Sequence, residues 1–246
     1  MTVMLPDPPA LSDLRARGPV ALFLDFDGTL VEIAPTPDSI EVPGGLAAAL
    51  EDLAARHGGA LAVVSGRAID NLREHLGPFR FAVAGSHGAE VRGASGERIG
   101  GKPQALTADV REAIEEFAAG HDGVEVEYKS FGLALHYRAA PDAGDEVLAF
   151  AKDLAATKHL QLKTGKSVCE LMHAGGGKDR AVSVLMESAP FAGAHPVFIG
   201  DDVTDEDGFA EVLRRGGTAI RVGEPKPTEA EFGLAGPDAV RDWLGL

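Results

Sequence analysis

Val20 to Phe26 reads Val-Ala-Leu-Phe-Leu-Asp-Phe, apolar at every position but one. A run without alternation predicts a strand buried on both faces, the signature of a central strand in a parallel sheet. Pro43 then opens a helical stretch in which Leu46, Leu50 and Leu53 fall on one face. Ala60 to Val64 predicts a second buried strand, Ala68 to Leu76 a short helix, and Phe81 to Ala84 a third strand. Strand alternating with helix predicts a doubly wound α/β core: a parallel sheet covered by helices.

From about residue 104 the period changes. Val124, Val126 and Tyr128 alternate with Glu125, Glu127 and Lys129, and Leu133, Leu135 and Tyr137 alternate with His136 and Arg138. Alternation with one wet face predicts an antiparallel sheet. Helical stretches at Thr107 to Phe117 and Asp142 to Ala156 accompany it, and a last alternating segment runs from Ser167 to Met172. Residues 104–172 therefore form a smaller α+β insert in a core made of residues 1–103 and 173–246. In the second part of the core, helices at Lys178 to Glu187 and Asp205 to Arg214 precede strands at Pro196 to Ile199 and Thr218 to Val222. Met1 to Leu11 reads as a short tail. The segment from Gly223 onward reads as loop and a short last helix carrying Trp243.

Composition narrows the chemistry. The chain has 246 residues, 45% of them hydrophobic, which suits a globular protein with a sizeable core. No apolar run reaches the length of a membrane span. A formal net charge of −15 argues against nucleic acid or an anionic membrane as partner. An anionic substrate would need positive charge supplied locally, by a metal ion or by clustered Lys and Arg. The single cysteine, Cys169, allows no internal disulfide and fits a cytoplasmic location. The sequence does not set the oligomeric state.

Two acidic strand ends carry the candidate chemistry. Asp25-Phe26-Asp27-Gly28-Thr29-Leu30 follows the first buried strand, and ligands of open parallel sheets bind outside the carboxyl ends of their strands. Carboxylates at i and i+2 point to the same side of an extended chain, and Gly28 lets the backbone turn sharply beside a ligand. Gly200-Asp201-Asp202-Val203-Thr204-Asp205-Glu206-Asp207 follows the strand ending at Ile199. In this second cluster Thr204 reads as a helix N-cap with acidic residues in the first turn, which leaves Asp201 and Asp202 unexplained by capping. Together the two clusters make an oxygen-rich site suited to a hard cation such as Mg²⁺.

Asp25 to Leu30 matches the Asp-x-Asp-Gly-Thr-Leu signature of the haloacid-dehalogenase (HAD) superfamily. Ser65-Gly66-Arg67, Lys178 and the segment Gly200 to Glu206 follow in that superfamily's order. The same triplet, Gly85 to Glu90, Glu127-x-Lys129, His136-x-Arg138 and Gly165-Lys166 with Glu170 resemble the trehalose-6-phosphate phosphatases, over roughly residues 20–210. Where that family usually has Lys-Gly-x-Ala, this chain has Lys178-Asp179-Arg180-Ala181.

The resemblance implies a Rossmann-like core with an inserted cap, and hydrolysis of trehalose 6-phosphate through an aspartyl-phosphate. It implies Asp25 as nucleophile, Asp27 as general acid and base, and Lys178 as the lysine orienting the nucleophile. Mg²⁺ would be held by Asp25, Asp27 through its backbone carbonyl, and Asp201, with Asp202 and Asp205 supporting. Gly28, Thr29, Ser65 and Gly66 would cradle the phosphate. Arg67, His87, Glu127, Lys129, His136, Arg138 and Glu170 would read the sugar. Taken without the resemblance, the alternating charges of the insert equally describe a solvated sheet face. A phosphatase for sucrose-phosphate or a glycosyl-phosphoglycerate, a phosphosugar mutase and a silent sugar-phosphate sensor share many of these motifs.

Overall fold

The computed structural model describes residues 4–34, 39–101, 105–128, 132–165, 167–173 and 177–246. The chain divides into two compact units, Met1–Gly101 with Gly177–Leu246, and Lys102–Gly176.

The first unit carries, in chain order, α1 (Leu11–Arg17), β1 (Val20–Leu24), α2 (Leu46–Arg56), β2 (Leu61–Val64), α3 (Ile69–Leu76), β3 (Ala82–Gly85) and β4 (Glu90–Arg92). The second unit carries α4 (Ala108–Ala119), β5 (Glu125–Tyr128), β6 (Gly132–His136), α5 (Gly144–Lys158), β7 (Leu160–Gly165) and β8 (Val168–His173). The chain then returns to the first unit with α6 (Lys178–Met186), β9 (His195–Gly200), α7 (Glu206–Arg214), β10 (Thr218–Val222), β11 (Phe232–Leu234) and α8 (Pro237–Leu244).

The core sheet runs β11-β10-β9-β1-β2-β3-β4, parallel throughout except for the β3–β4 pair. The apolar run at Val20 is the reason β1 sits at its centre. Val20, Leu22 and Leu24 pack with Leu50 and Leu53 of α2, Ile69 and Leu72 of α3, and Val240 of α8. Ala21 and Phe23, one residue out of phase, pack on the other face with Val182 and Leu185 of α6 and Phe209 and Val212 of α7. One strand thus feeds two cores, and burying a side chain such as Phe23 contributes about 1.5–3 kcal/mol. Chain direction across the sheet reverses at β1, between β9 and β2, which leaves a crevice at the carboxyl ends of these strands.

The inserted unit is a four-stranded antiparallel sheet, β5-β6-β8-β7. Leu133, Leu135, Cys169 and Leu171 share a buried cluster with Val110 and Ile114 of α4 and Val147 and Ala151 of α5. On the sheet's other face a single cross-strand row contains Glu127, Ala134, Glu170 and Lys163.

Three details differ from the sequence reading. Leu11–Arg17 is helical, an element the sequence reading did not assign after the Met1 to Leu11 tail. β6 ends at His136: Arg138 lies in the exposed turn beyond it and does not share a strand face with His136. Both neighbours run out there: His136 pairs with Glu125, the first residue of β5, and with Val168, the first residue of β8. Asp202, and not Thr204, caps the turn Val203–Asp205, its side chain accepting from the Asp205 amide while the Asp205 carboxylate accepts from the Asp202 amide.

Candidate active site

The two acidic strand ends lie side by side because β1 and β9 are paired, Leu24 opposite Ile199. The Asp25 amide donates to the Ile199 carbonyl at 2.9 Å, which fixes the first carboxylate beside the second strand end. Gly28 has φ +81, and a Cβ there would collide with the Asp201 carboxylate. Gly200 has the same function for Asp205, whose side chain folds back against it. These glycines let the acidic groups crowd together, and one oxygen each from Asp25, Asp201 and Asp205 lies within 4.8 Å of the others.

Lys178, the first residue of α6, is 2% exposed and enters this cluster. Its Nζ donates to Asp25 Oδ1 at 2.6 Å and to Asp205 Oδ1 at 2.5 Å. Burial alone would lower its pKa, but the charges of Asp205 and Asp25 outweigh that and hold it above its usual value. Burial, followed by the charge of Asp205, pushes Asp25 well above the usual carboxylate range despite Lys178. Burial and the neighbouring Asp205 and Asp202 push Asp201 up to about 6.

Three carboxylates therefore face a single buried ammonium, an arrangement that favours a further cation. The donor atoms also divide by availability. Asp205 has both oxygens engaged, one by Lys178 and the other by the Asp202 amide at 3.0 Å. Asp201 Oδ1 is buried without a partner. Asp201 thus fits a hard divalent cation better than Asp205 does. A cavity of about 410 Å³ opens beside Gly28 and Asp201.

Ser65 directly follows β2, the strand paired with β1, and is 1% exposed. Its Oγ accepts from the Arg67 amide at 3.1 Å, which leaves the hydroxyl proton to be given elsewhere. Thr29 is buried with Oγ1 unpartnered. His87 sits in the turn after β3 with φ +56, and a Cβ at Gly66 would lie 2.7 Å from its imidazole. Arg67 is engaged inside the core: its Nε and one terminal nitrogen donate to the two oxygens of Asp27 at 2.7 and 2.8 Å. Asp179 sits in the first turn of α6, where negative charge suits the helix dipole, so the helix forms without the family's usual glycine.

The core positions named from the sequence, Asp25, Asp27, Gly28, Thr29, Ser65, Gly66, Arg67, His87, Lys178, Asp201, Asp202 and Asp205, all belong to the first unit. Glu127, His136 and Glu170 lie on the polar sheet face of the second, with His136 Nε2 2.8 Å from Glu127 Oε2. Lys129 lies outside the described residues. Lys163, opposite Glu170 on β7, was missed, although Leu160 and Leu162 alternating with Gln161 and Lys163 carried the signal.

A parallel sheet reversing at a strand that ends in Asp-x-Asp, with a buried lysine across from it, is the architecture of HAD-like hydrolases. The solved structure of a haloacid-dehalogenase-like hydrolase from B. subtilis shares the fold, with a TM-score of 0.70 at 14% identity over 92% of this chain and 99% of that one. More particularly, the trehalose-phosphatase family model matches residues 23–238, and the chain belongs to that family. The trehalose-6-phosphate phosphatase of Escherichia coli (strain K12) is 40% identical over 248 residues, covering 100% of this chain and 91% of that protein. A solved Aspergillus fumigatus trehalose-6-phosphate phosphatase has a TM-score of 0.76 at 26% identity, covering 98% of this chain and 97% of that one. The protein is a phosphatase, a phosphate-monoester hydrolase.

Proposed function

We propose that this phosphatase hydrolyses trehalose 6-phosphate to trehalose and inorganic phosphate, with Mg²⁺ as cofactor and Asp25 as nucleophile. The carrying observation is the buried cluster of Asp25, Lys178, Asp205 and Asp201 at the reversal point of the sheet, with Ser65 directly after the paired strand β2. The side chains of Asp25 and Asp201 and the backbone carbonyl of Asp27 would hold Mg²⁺. Bound there, the ion offsets repulsion between the nucleophile and the phosphate dianion.

Phosphate monoesters hydrolyse very slowly unaided, and a carboxylate nucleophile divides the reaction into two easier steps. Lys178 aims Asp25 through a charged hydrogen bond of 2.6 Å and favours its ionised form, which a bound cation would favour further. Asp25 attacks phosphorus while Asp27 gives its proton to the departing sugar oxygen. Asp27 then takes a proton from water as that water displaces Asp25 from phosphorus. Ser65, Thr29 and the backbone at Gly66 would donate to the phosphate oxygens, Gly28, whose own amide is held by the Val31 carbonyl at 2.8 Å, would let the phosphate approach, and the Lys178 charge stabilises the transferring group.

The inserted unit would act as the cap that reads the sugar. Carboxylates accept from sugar hydroxyls and ammonium groups donate to them, so Glu170, Glu127 and Lys129 suit this task, with His136 beside them. Arg138 would reach the sugar only from its turn beyond β6, and His87 from the loop after β3. A single free cysteine fits a cytoplasmic enzyme. No described helix is long and apolar enough to cross a membrane.

Phosphate release across a panel of sugar phosphates, with and without Mg²⁺, tests this reading. Trehalose 6-phosphate should be the best substrate, release should be stoichiometric, and chelation should stop it. Preference for sucrose-phosphate or a glycosyl-phosphoglycerate would replace the substrate, and transfer to a second sugar position without phosphate release would identify a mutase. Asp25→Asn keeps the shape of the site and should abolish turnover; substantial Mg²⁺-dependent activity in that variant would sink the covalent mechanism.

A further inference from the structure

The Arg67 guanidinium grips the Asp27 carboxylate with two near-parallel bonds, Nε to Oδ2 at 2.7 Å and a terminal nitrogen to Oδ1 at 2.8 Å. A fork-to-fork pair fixes the plane of the carboxyl group as well as its distance, which one bond would not. The Arg67 side chain is 10% exposed, against 35% for Asp27, so the holder is drier than the group it holds. The remaining terminal nitrogen of Arg67 donates to Asn71 Oδ1 at 2.8 Å, and Asn71 Nδ2 donates to Glu74 Oε2 at 3.2 Å. Asn71 lies on α3, four residues beyond Arg67, where the helix can present an acceptor to it. The backbone of Arg67 is fastened as well, its amide to Ser65 Oγ and its carbonyl to the Ser86 amide.

We propose that Asn71 and Arg67 form a positioning relay that sets the orientation of the Asp27 carboxyl for both proton transfers, with Asn71 acting through Arg67. This rests on the reading above, in which Asp27 is the proton donor and acceptor. In the first step a P–O bond forms to Asp25 and the P–O bond to the leaving group breaks. Asp27 first takes up a proton on one oxygen, keeping the Arg67 bond to the other; the departing oxygen takes that proton, and the carboxylate left behind regains both bonds. In the second, Asp27 takes a proton from water as the water oxygen bonds to phosphorus and the bond to Asp25 breaks. Both transfers need one Asp27 oxygen pointed at the line of displacement, and α3 supplies the anchor for that aim. Without Asn71 the guanidinium loses a contact that steadies its plane, and Asp27 is aimed less tightly.

Two small aryl phosphates separate this role from a merely structural one. The phenolate of phenyl phosphate is a poor leaving group that needs a proton. Dinitrophenolate leaves 2,4-dinitrophenyl phosphate as an anion and does not. The experiment measures kcat/KM on both, at saturating Mg²⁺, for the wild type and for Asp27→Asn, Asn71→Ala and Asn71→Asp with Glu74→Gln. Alanine is a better helix former than asparagine, so α3 is retained in Asn71→Ala. That variant should lose roughly tenfold on phenyl phosphate, a fraction of what general acid catalysis supplies, and stay within about twofold on the dinitrophenyl ester. Asn71→Asp, made together with Glu74→Gln so that no second carboxylate faces it, keeps an acceptor for Arg67 and should recover most of the loss. Equal effects of Asn71→Ala on both substrates, no effect on either, or failure of Asn71→Asp with Glu74→Gln to recover would overturn the relay. The Asp27→Asn arm separates the two levels: equal losses there would overturn the proton-donor reading itself, whereas a selective loss there with none in Asn71→Ala would overturn the relay alone.

Discussion

The guanidinium of Arg221 donates to the backbone carbonyl of Asp201 at 2.7 Å. Arg221 lies on β10 opposite Gly200 of β9 and is 4% exposed. Its other terminal nitrogen lies 3.3 Å from Glu206 Oε1, and Glu206 Oε2 accepts from the Glu229 amide. A buried cation thus ties the second acidic strand end to the loop before β11.

Arg221→Met keeps most of the volume but removes the donor to Asp201 and strips Glu206 of its partner. Breaking one side of a buried pair leaves an uncompensated charge, and a loss of about 3 kcal/mol in stability is expected. The Asp201 loop should also loosen, raising the Mg²⁺ concentration needed for half-maximal activity. Urea unfolding and a Mg²⁺ titration check the two effects separately. An unchanged titration with lowered stability would reduce Arg221 to a purely structural role.

Asp201 and Asp205 should separate in the same assays. Asp201 has a buried, unpartnered oxygen, so Asp201→Asn should mainly raise the Mg²⁺ requirement. Asp205 is spent on Lys178 and the Asp202 amide, so Asp205→Asn should mainly lower stability, by about 2 kcal/mol for weakening a buried charged hydrogen bond. Its Mg²⁺ dependence should shift less than that of Asp201→Asn. The opposite ranking would exchange the two roles.

How much of this was legible in the sequence depended on burial. β1, β2 and β9 announced themselves because a strand covered on both faces must be apolar at nearly every position. β4 and β11 span three residues each, too few for any period to register. Asp25 and Asp201 stood out because a carboxylate at the end of a buried run is costly unless it is used. The engagement of Arg67 by Asp27 was not legible, since the two lie 40 residues apart and meet only through the β1–β2 pairing. Arg221 gave no signal either: within Thr-Ala-Ile-Arg-Val it reads as an ordinary outward-facing polar residue, yet every position of β10 is buried.

Cys169 should be chemically silent in the folded protein. It is 1% exposed in the core of the inserted unit, and burial pushes its thiol up to about 11. At pH 7.5 the thiolate fraction is then on the order of one in a few thousand, and access is blocked as well. Native protein should resist a maleimide over an hour, while protein in urea should take up one equivalent. Rapid native labelling would mean that the inserted unit opens readily on its own.

The polar sheet face of the inserted unit gives the test of specificity. Glu170 on β8 is 8% exposed and sits in register with Lys163 on β7 and Ala134 on β6, the row continuing to Glu127 on β5. A nearly buried carboxylate in a row with a lysine is unusual for a face that merely meets water. If this face reads the sugar, its binding energy should be spent on positioning the phosphate, so its loss should appear in turnover of the full substrate. Glu170→Ala and Lys129→Ala should each lower kcat/KM for trehalose 6-phosphate by roughly 30- to 150-fold, the equivalent of about 2–3 kcal/mol of lost contact to a charged group. Phenyl phosphate carries no sugar, and its hydrolysis should change much less. Lys163→Met joins the set because Lys163 faces Glu170 in register; a loss on trehalose 6-phosphate alone would extend the reading face to β7. Equal losses on both substrates would assign these residues to stability, and unchanged trehalose 6-phosphate turnover would leave the row an ordinary solvated face.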